Sequence, residues 1–450
     1  MAKRQMALVG FLQAQNCSNY PASWRHPDSS GEFLTAGYYQ EIAKVLEAGK
    51  FHLAFFDDRL AMPDRFGMSA AESIRNGVRV VKMDPIPILA MMGAVTRNLG
   101  LGATASTTYY EPFHIARQFS TLDHMTGGRA AWNVVTSLND SEAANFGQDA
   151  LLGHDERYDR AEEFLSVVHG HWDTWAADAI VMDKAAGVFA DPAKVTALEH
   201  RGRYFNSRGP FTVPPTPQGR PVIIQAGQSG RGRDFAVKWA ELIFAIFPNL
   251  DFAKRVYSET REIALAAGRD PESYRLTPAA YAIIGESQAE AEDKAALIDS
   301  LHRPIDTLAL LSEALNYDFA AKGMDEAFSA DELASISGLQ AIRDRVVRLS
   351  GKPNPTVRDF VVHSARGTLR EMAMFVGTAS QVADGMEEWF LEGGCDGFVL
   401  AATHMPGAYI DFVKHVVPEL QRRGVYHDDY AGPTLRENLG LSRARTAPTL

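Results

Sequence analysis

The stretch Leu122–Gly147, "LDHMTGGRAAWNVVTSLNDSEAANFG", decides the fold. Its first residues read as the end of a helix that stops at Gly127 and Gly128, where a left-handed C-terminal cap favours glycine. "AAWNVVTS" then reads as a buried apolar strand that ends abruptly at Thr136 and Ser137. Helix, glycine turn and strand together are the αβ half of a βαβ repeat. The polar residues Asn133, Thr136, Ser137 and Asn139 fall where that strand reaches the surface, and in a parallel barrel this end is the rim at which the βα loops meet.

Working outward from this unit, seven further apolar runs have strand character: "ALVGFLQA", "FHLAFFDD", "LGLGATAS", "PVIIQAG", "LIFAIFP", "TPAAYAIIG" and "DGFVLAA". Amphipathic helical segments separate most of them. In the fourth such helix Phe164, Leu165, Val168, Trp172 and Trp175 recur at spacings that build one apolar stripe. Eight strands alternating with helices predict an α/β TIM (β/α)8 barrel, one domain over residues 1–450. Two insertions are expected, at about 176–220 after the fourth helix and at about 302–370 after the seventh strand. Loops of this length are functional lids or dimer arms more often than idle linkers.

Bulk properties exclude several classes. A formal net charge of −11, with no extended Lys/Arg run, gives a surface that phosphate backbones repel, so no nucleic-acid partner is expected. No run of 18 apolar residues exists to span a membrane, and the short apolar run after "MAKRQ" reads better as the first strand than as a signal peptide. Two cysteines, Cys17 and Cys395, rule out a disulfide framework and fit a reducing cytoplasm. No metal site is expected: His169 and His171 are two apart on a helix, hence on different faces, and neither H-E-x-x-H nor paired C-x-x-C occurs. The glycines do not spell a dinucleotide fingerprint, and "QSGRG" is not a hydrolase nucleophile elbow.

What gathers at the rim is hydrogen-bonding and mostly neutral. The second strand ends in Asp57 and Asp58, of which alternation lets only one face the pocket. The third contributes Thr104, Ser106, Thr107 and Thr108, and the fifth ends near Gln225, Gln228 and Ser229. "QAGQSGRGRDFA" sets Ser229 and Gly230 at a helix N-terminus, which suits a phosphate, although a plain N-cap explains Ser229 as well. In "GHDERYDRAEEF", His154 and Tyr158 are four apart and share a helix face. The aromatics Phe11, Phe55, Phe56, Trp132 and Phe247 lie near strand ends and are together candidates for an apolar pocket wall, although each taken singly reads more readily as core.

These motifs, with "ATASTTYYEPFHIARQFSTLDHMTGGRAAWNVVTSLNDSEAANFG" and the closing "DGFVLAATHMPGAYIDFVKHVVPELQRRGVYHDDYAGPTLRENLGL", resemble the flavin-dependent monooxygenases of the nitrilotriacetate and dibenzothiophene-sulfone type, within the bacterial luciferase-like superfamily. "VVTSLNDSEAANFG" and "DKAAGVFADPAKV" are most similar to the dibenzothiophene-sulfone branch, while Asp57 and the surroundings of Cys17 depart from it. The resemblance implies FMN, used as FMNH2 from a separate NAD(P)H-dependent flavin reductase. With O2 it would oxygenate a hydrophobic, aromatic, organosulfur or halogenated compound. A polar chelator or heterocycle as substrate, or a flavin-binding protein without turnover, are the alternatives. It further implies a homodimer or homotetramer. FMN contacts carry over onto Asp58, Thr104 or Ser106, His154, Tyr158, Ser229 and Gly230, and Phe11, Phe56 and Phe247 are assigned to the substrate. Asn133 and Ser137 would lie near the reactive edge of the ring and donate hydrogen bonds where oxygen adds, with His26 assisting proton delivery.

Overall fold

A computed structural model describes residues 4–16, 18–149, 151–227, 230–442 and 444. Among them eight parallel strands close into a barrel: β1 (Ala7–Gln13), β2 (Leu53–Asp57), β3 (Gly100–Ser106), β4 (Ala130–Val135), β5 (Val222–Gln225), β6 (Leu242–Ala245), β7 (Arg275–Ile284) and β8 (Gly397–Ala401). Each strand pairs with its neighbours in chain order, and β8 returns to β1 with Ala7 opposite Gly397, which closes the ring. These are the eight runs expected from the sequence, wrapped by helices as a TIM barrel.

Period-two alternation sorts the side chains. Val9, Phe11, Leu53, Phe55, Ala131, Ile224, Phe244 and Val399 fill the interior, while Leu8, Leu12, Phe56, Trp132 and Leu400 pack outward against the helices. Phe11 stacks on Phe55 at 5.4 Å with planes 8° apart, and Phe244 tilts against Phe11 at 5.3 Å. This aromatic plug fills the middle of the barrel and forms a floor below the rim.

A ninth strand, Ala373–Gly377, was not anticipated. β7 is ten residues long; its first part pairs with β6, and the added strand takes up the remainder of that edge, with Ala280 opposite Ala373. "AMFVG" is short and lacks clear alternation, so it does not announce itself as a strand; it forms because β7 outruns β6.

The chain between helix α1 (His154–Trp172) and β5 carries a hairpin, Ile180–Asp183 with Val188–Ala190, and a second small ladder, His200–Arg201 with Asn206–Ser207. Helix α2 (Gly230–Trp239) follows β5. Beyond β7, helix α3 (Pro304–Leu315) is buried from Asp306 to Leu315, and with Phe319, Phe328, Val346 and Phe360 it forms a hydrophobic cluster of its own. Gly127 closes the helix before β4 at φ 70°, as its position predicts. No helix among the described residues is long and apolar enough to cross a membrane.

Candidate active site at the barrel rim

The carboxyl ends of β2, β3, β4 and β5 surround a cavity of about 220 Å3. Asp57, Asp58, Arg59, Thr104, Asn133, Ser137, Glu142, Tyr158, Gln225 and Gly227 contribute to its wall. Thr104 and Asn133 stand opposite one another in register, both on the inward face. The Thr104 hydroxyl donates to the Phe56 carbonyl (2.9 Å), so its lone pair is free to accept from Asn133 Nδ2 (2.8 Å). That chain of bonds fixes the amide and leaves Asn133 Oδ1 buried with no partner. An unpaired buried carbonyl costs roughly 1–3 kcal/mol, a penalty that a bound N–H or O–H would relieve. The atom left without a partner is an acceptor, and the second N–H of the same amide still allows the donor role that the sequence reading gave Asn133.

Ser137 lines the same cavity with φ 54°, in the left-handed region that serine rarely occupies. Its hydroxyl meets Ser106 Oγ at 2.9 Å, and Ser106 in turn accepts from Thr108 N (3.0 Å). Ser106 thus stands behind Ser137 as its support and does not line the cavity.

Both aspartates reach the cavity, contrary to the expectation that only one would. β2 ends at Asp57, so alternation governs Asp57 alone and Asp58 already belongs to the turn. Their environments separate them. Burial pushes the Asp57 carboxyl up, but Lys82 at 2.9 Å and Arg79 outweigh it and hold the acid below its usual range. Burial dominates at Asp58 and raises it to about 7, with only partial opposition from Lys82 and from the Arg59 N–H that it accepts at 2.8 Å.

At the far side of the cavity, Gly227 lies so close to Gly232 that a Cβ on it would sit 2.2 Å from the Gly232 carbonyl oxygen, and a Cβ on Gly232 would sit 2.7 Å from the Tyr158 hydroxyl. Only glycine permits this close approach of backbone at the start of α2, beside Tyr158. Gly230 is exposed there with φ 34°. Ser229, with Gln228, lies outside the described residues, as does Cys17.

Several expected site residues lie elsewhere. His154 is mostly exposed, pairs with Asp155 at 2.8 Å, and touches the site only through its ring contact with Tyr158. Phe56 points outward to Tyr39 and Phe247 packs against Phe252 behind β6, so neither faces the cavity; Phe55 and Phe244 are their inward neighbours. Phe11 belongs to the floor. His26 lines neither this cavity nor its neighbour; it stacks face to face on His404 at 3.9 Å with planes 6° apart. Asp28 joins them, bringing potential ligand atoms within 4.8 Å of one another. The lone pairs of parallel imidazoles run side by side and do not converge, so this geometry is that of stacking.

Sequence reasoning missed two features. A second cavity of about 400 Å3 adjoins the first and shares Asp58 and Arg59 as its wall. Its remaining lining includes Leu60, Met62, Lys82, Asp84 and Tyr110. The second feature is Glu313 on α3, whose Oε1 accepts from Asn139 Nδ2 (2.8 Å) and from Arg59 Nη1 (3.4 Å). No spacing links residue 313 to residues 59 and 139, because only the folded insertion brings them together.

Comparison with known proteins places this arrangement. Residues 17–397 match the family model for luciferase-like monooxygenases. The chain is 44% identical to dibenzothiophene-sulfone monooxygenase of Rhodococcus erythropolis, over 98% of this chain and 97% of that one. It is 37% identical to nitrilotriacetate monooxygenase component A of Aminobacter aminovorans, over 99% and 98%. A solved structure of a riboflavin lyase with modified FMN and riboflavin superposes with a TM-score of 0.88 at 32% identity, over 98% of this chain and 97% of the other. The chain belongs to the luciferase-like family of flavin-dependent monooxygenases.

Proposed function

We propose that this protein is the oxygenase of a two-component system. It takes reduced FMN from a separate NAD(P)H-dependent flavin reductase and uses O2 to oxygenate a small, largely apolar organic molecule. The observation that carries this reading is the unpartnered Asn133 Oδ1 beside the rim cavity, locked in place by Thr104. The isoalloxazine of FMNH2 offers ring N–H donors to such an acceptor, and the amino-terminal end of α2 is the kind of helix start that attracts its phosphate.

Bound reduced FMN supplies the electrons that activate dioxygen, one oxygen atom passing to the substrate and the other leaving as water. The residues around it would bind, orient and exclude water. Tyr158, Gly227 and Gly230 would hold the phosphate end. Asp58, poised near neutrality, accepts from a ring N–H when ionised. Thr104, Asn133 and Ser137 would bind and orient the reacting edge of the ring in the rim cavity.

The test is anaerobic titration of the purified protein with FMNH2, followed by oxygen uptake with FMN, NADH and a flavin reductase. Tight FMNH2 binding with substrate-dependent oxygen uptake supports the reading. Absence of FMNH2 binding overturns it, and binding without coupled oxygen uptake points instead to a flavin store or sensor.

A further inference from the structure

Arg59 stands between the two cavities and contributes to both walls. Its guanidinium makes one hydrogen bond, the long 3.4 Å contact from Nη1 to Glu313 Oε1, and its side chain keeps 17% of its surface. Nε and Nη2 have no acceptor among the described residues, yet they are not among the sealed, unpartnered buried atoms, so they stay accessible in the cavity wall. The other cation of the second cavity, Lys82, is held by Asp57 at 2.9 Å. Around these two cations and the buried Arg79 stand Asp57, Asp58, Asp84, Glu142 and Glu313, so carboxyls still outnumber cations.

We propose that the second cavity is the substrate pocket, that Arg59 is its recognition group, and that the molecule bound there is uncharged and presents a hydrogen-bond-accepting oxygen. The inference deepens the monooxygenase reading and rests on it for the chemistry. A polycarboxylate meets an excess of acid and no unpaired ammonium, while a cation meets the guanidinium face; an oxygen acceptor on an apolar frame satisfies Nε or Nη2 and rests against Leu60 and Met62. Glu313 is the positioning residue. Its carboxylate links Arg59 to Asn139, and thereby ties the loop after β2, the loop after β4 and the roof helix α3 into one rim. Glu142 completes the tie by accepting from Leu60 N at 3.0 Å.

Equilibrium binding to the flavin-free protein tests this with three probes: dibenzothiophene sulfone, dibenzothiophene and nitrilotriacetate. The sulfone is expected to bind about tenfold or more tighter than the sulfide that lacks its oxygens, the worth of one hydrogen bond to a charged donor. Nitrilotriacetate is expected to bind weakest. Arg59→Met should abolish the preference for sulfone over sulfide in the flavin-free protein. Glu313→Gln should raise the KM for the sulfone severalfold with kcat held, a split that general loosening of the fold does not produce. Equal affinity for sulfone and sulfide in the wild-type protein, or tighter binding of nitrilotriacetate, overturns the proposal without any variant. Because the wild-type comparison of the three probes needs no flavin, its failure is distinct from failure to bind FMNH2.

Discussion

The two ends of β4 bury polar side chains in opposite ways. Just before its first residue, Arg129 donates to the carbonyls of Thr126 (2.6 Å), Leu99 (2.8 Å), Gly93 (3.1 Å) and Thr96 (3.0 Å) and to the Thr96 hydroxyl (2.9 Å). Every nitrogen is used, and the guanidinium sews together the turns that feed β3 and β4. Four residues later Asn133 makes a single bond and keeps a buried oxygen with nothing to accept. Asp123 and Gln218, which also hold the start of β4, each keep an unpartnered oxygen as well, but neither lines the rim cavity; Asn133 is set apart because it does. The barrel thus separates stability at its amino-terminal face from chemistry at its carboxyl face, within one strand.

Substitutions at the two ends should therefore act on different quantities. Arg129→Met strips partners from several buried carbonyls and is expected to cost about 3 kcal/mol or more of unfolding free energy, measured by urea denaturation, with FMN affinity of the surviving folded protein nearly unchanged. Asn133→Ala removes one hydrogen bond and a strained acceptor, so stability should shift by less than about 1 kcal/mol. Its product formation should fall about tenfold to a hundredfold, more than its FMN affinity does. Equal losses in product and FMN binding would assign Asn133 to holding the cofactor only, and a stability loss matching that of Arg129→Met would erase the contrast between the two ends.

Sequence reached the eight strands and the glycine stop at Gly127, because both follow from alternation and turn chemistry, and it set the polar ends of β2, β3 and β4 at the carboxyl rim; the network around Arg129 left no such signal. The alternation rule, left unapplied residue by residue, misplaced Phe56, which sits on the outward side of β2 where Phe55 faces in; Phe247 lies past the end of β6 and packs on Phe252. The rule also does not extend past the end of a strand, which is how Asp58 joined Asp57 at the cavity. Glu313 and the strand Ala373–Gly377 were out of reach for another reason. Their positions depend on where a long insertion lands and on how far β7 outruns its neighbour, neither of which leaves a local signature.

Asp58 offers a pH test of the unfinished end. Burial raises its carboxyl from 3.8 to about 7 in the folded protein. Between pH 4 and pH 7 the folded state then binds more protons than the unfolded chain, so stability without flavin should fall as pH rises through that window. The contribution is at most about 1.4 kcal/mol per pH unit, trimmed by solvent that reaches the cavity. Above pH 7 both states are ionised and the slope ends. FMN affinity should move the other way, rising with pH through 7 as Asp58 becomes an acceptor. Asp58→Asn should flatten both curves, which thermal melts and flavin fluorescence titrations across pH 5–8 would show; parallel rather than opposed trends in the wild-type protein would remove Asp58 from the flavin's contacts.

The smallest expected effect is at Ser137, and it bears most directly on why β4 ends as it does. A serine at φ 54° holds a conformation that glycine adopts freely, so backbone strain alone predicts that Ser137→Gly stabilises the fold, by roughly 0.4–1 kcal/mol after the entropy glycine adds to the unfolded chain is set against the relief. Loss of the 2.9 Å contact with Ser106 Oγ works in the opposite sense by a similar amount. Urea denaturation should therefore register almost no net change. Turnover should nonetheless drop severalfold, because the hydroxyl that the strained backbone aims at the cavity is gone while FMN binding through Tyr158 and the start of α2 is intact. A glycine variant that is both clearly more stable and fully active would mean that the strain at this strand end serves no chemistry, and that the contrast between the ends of β4 rests on Asn133 alone.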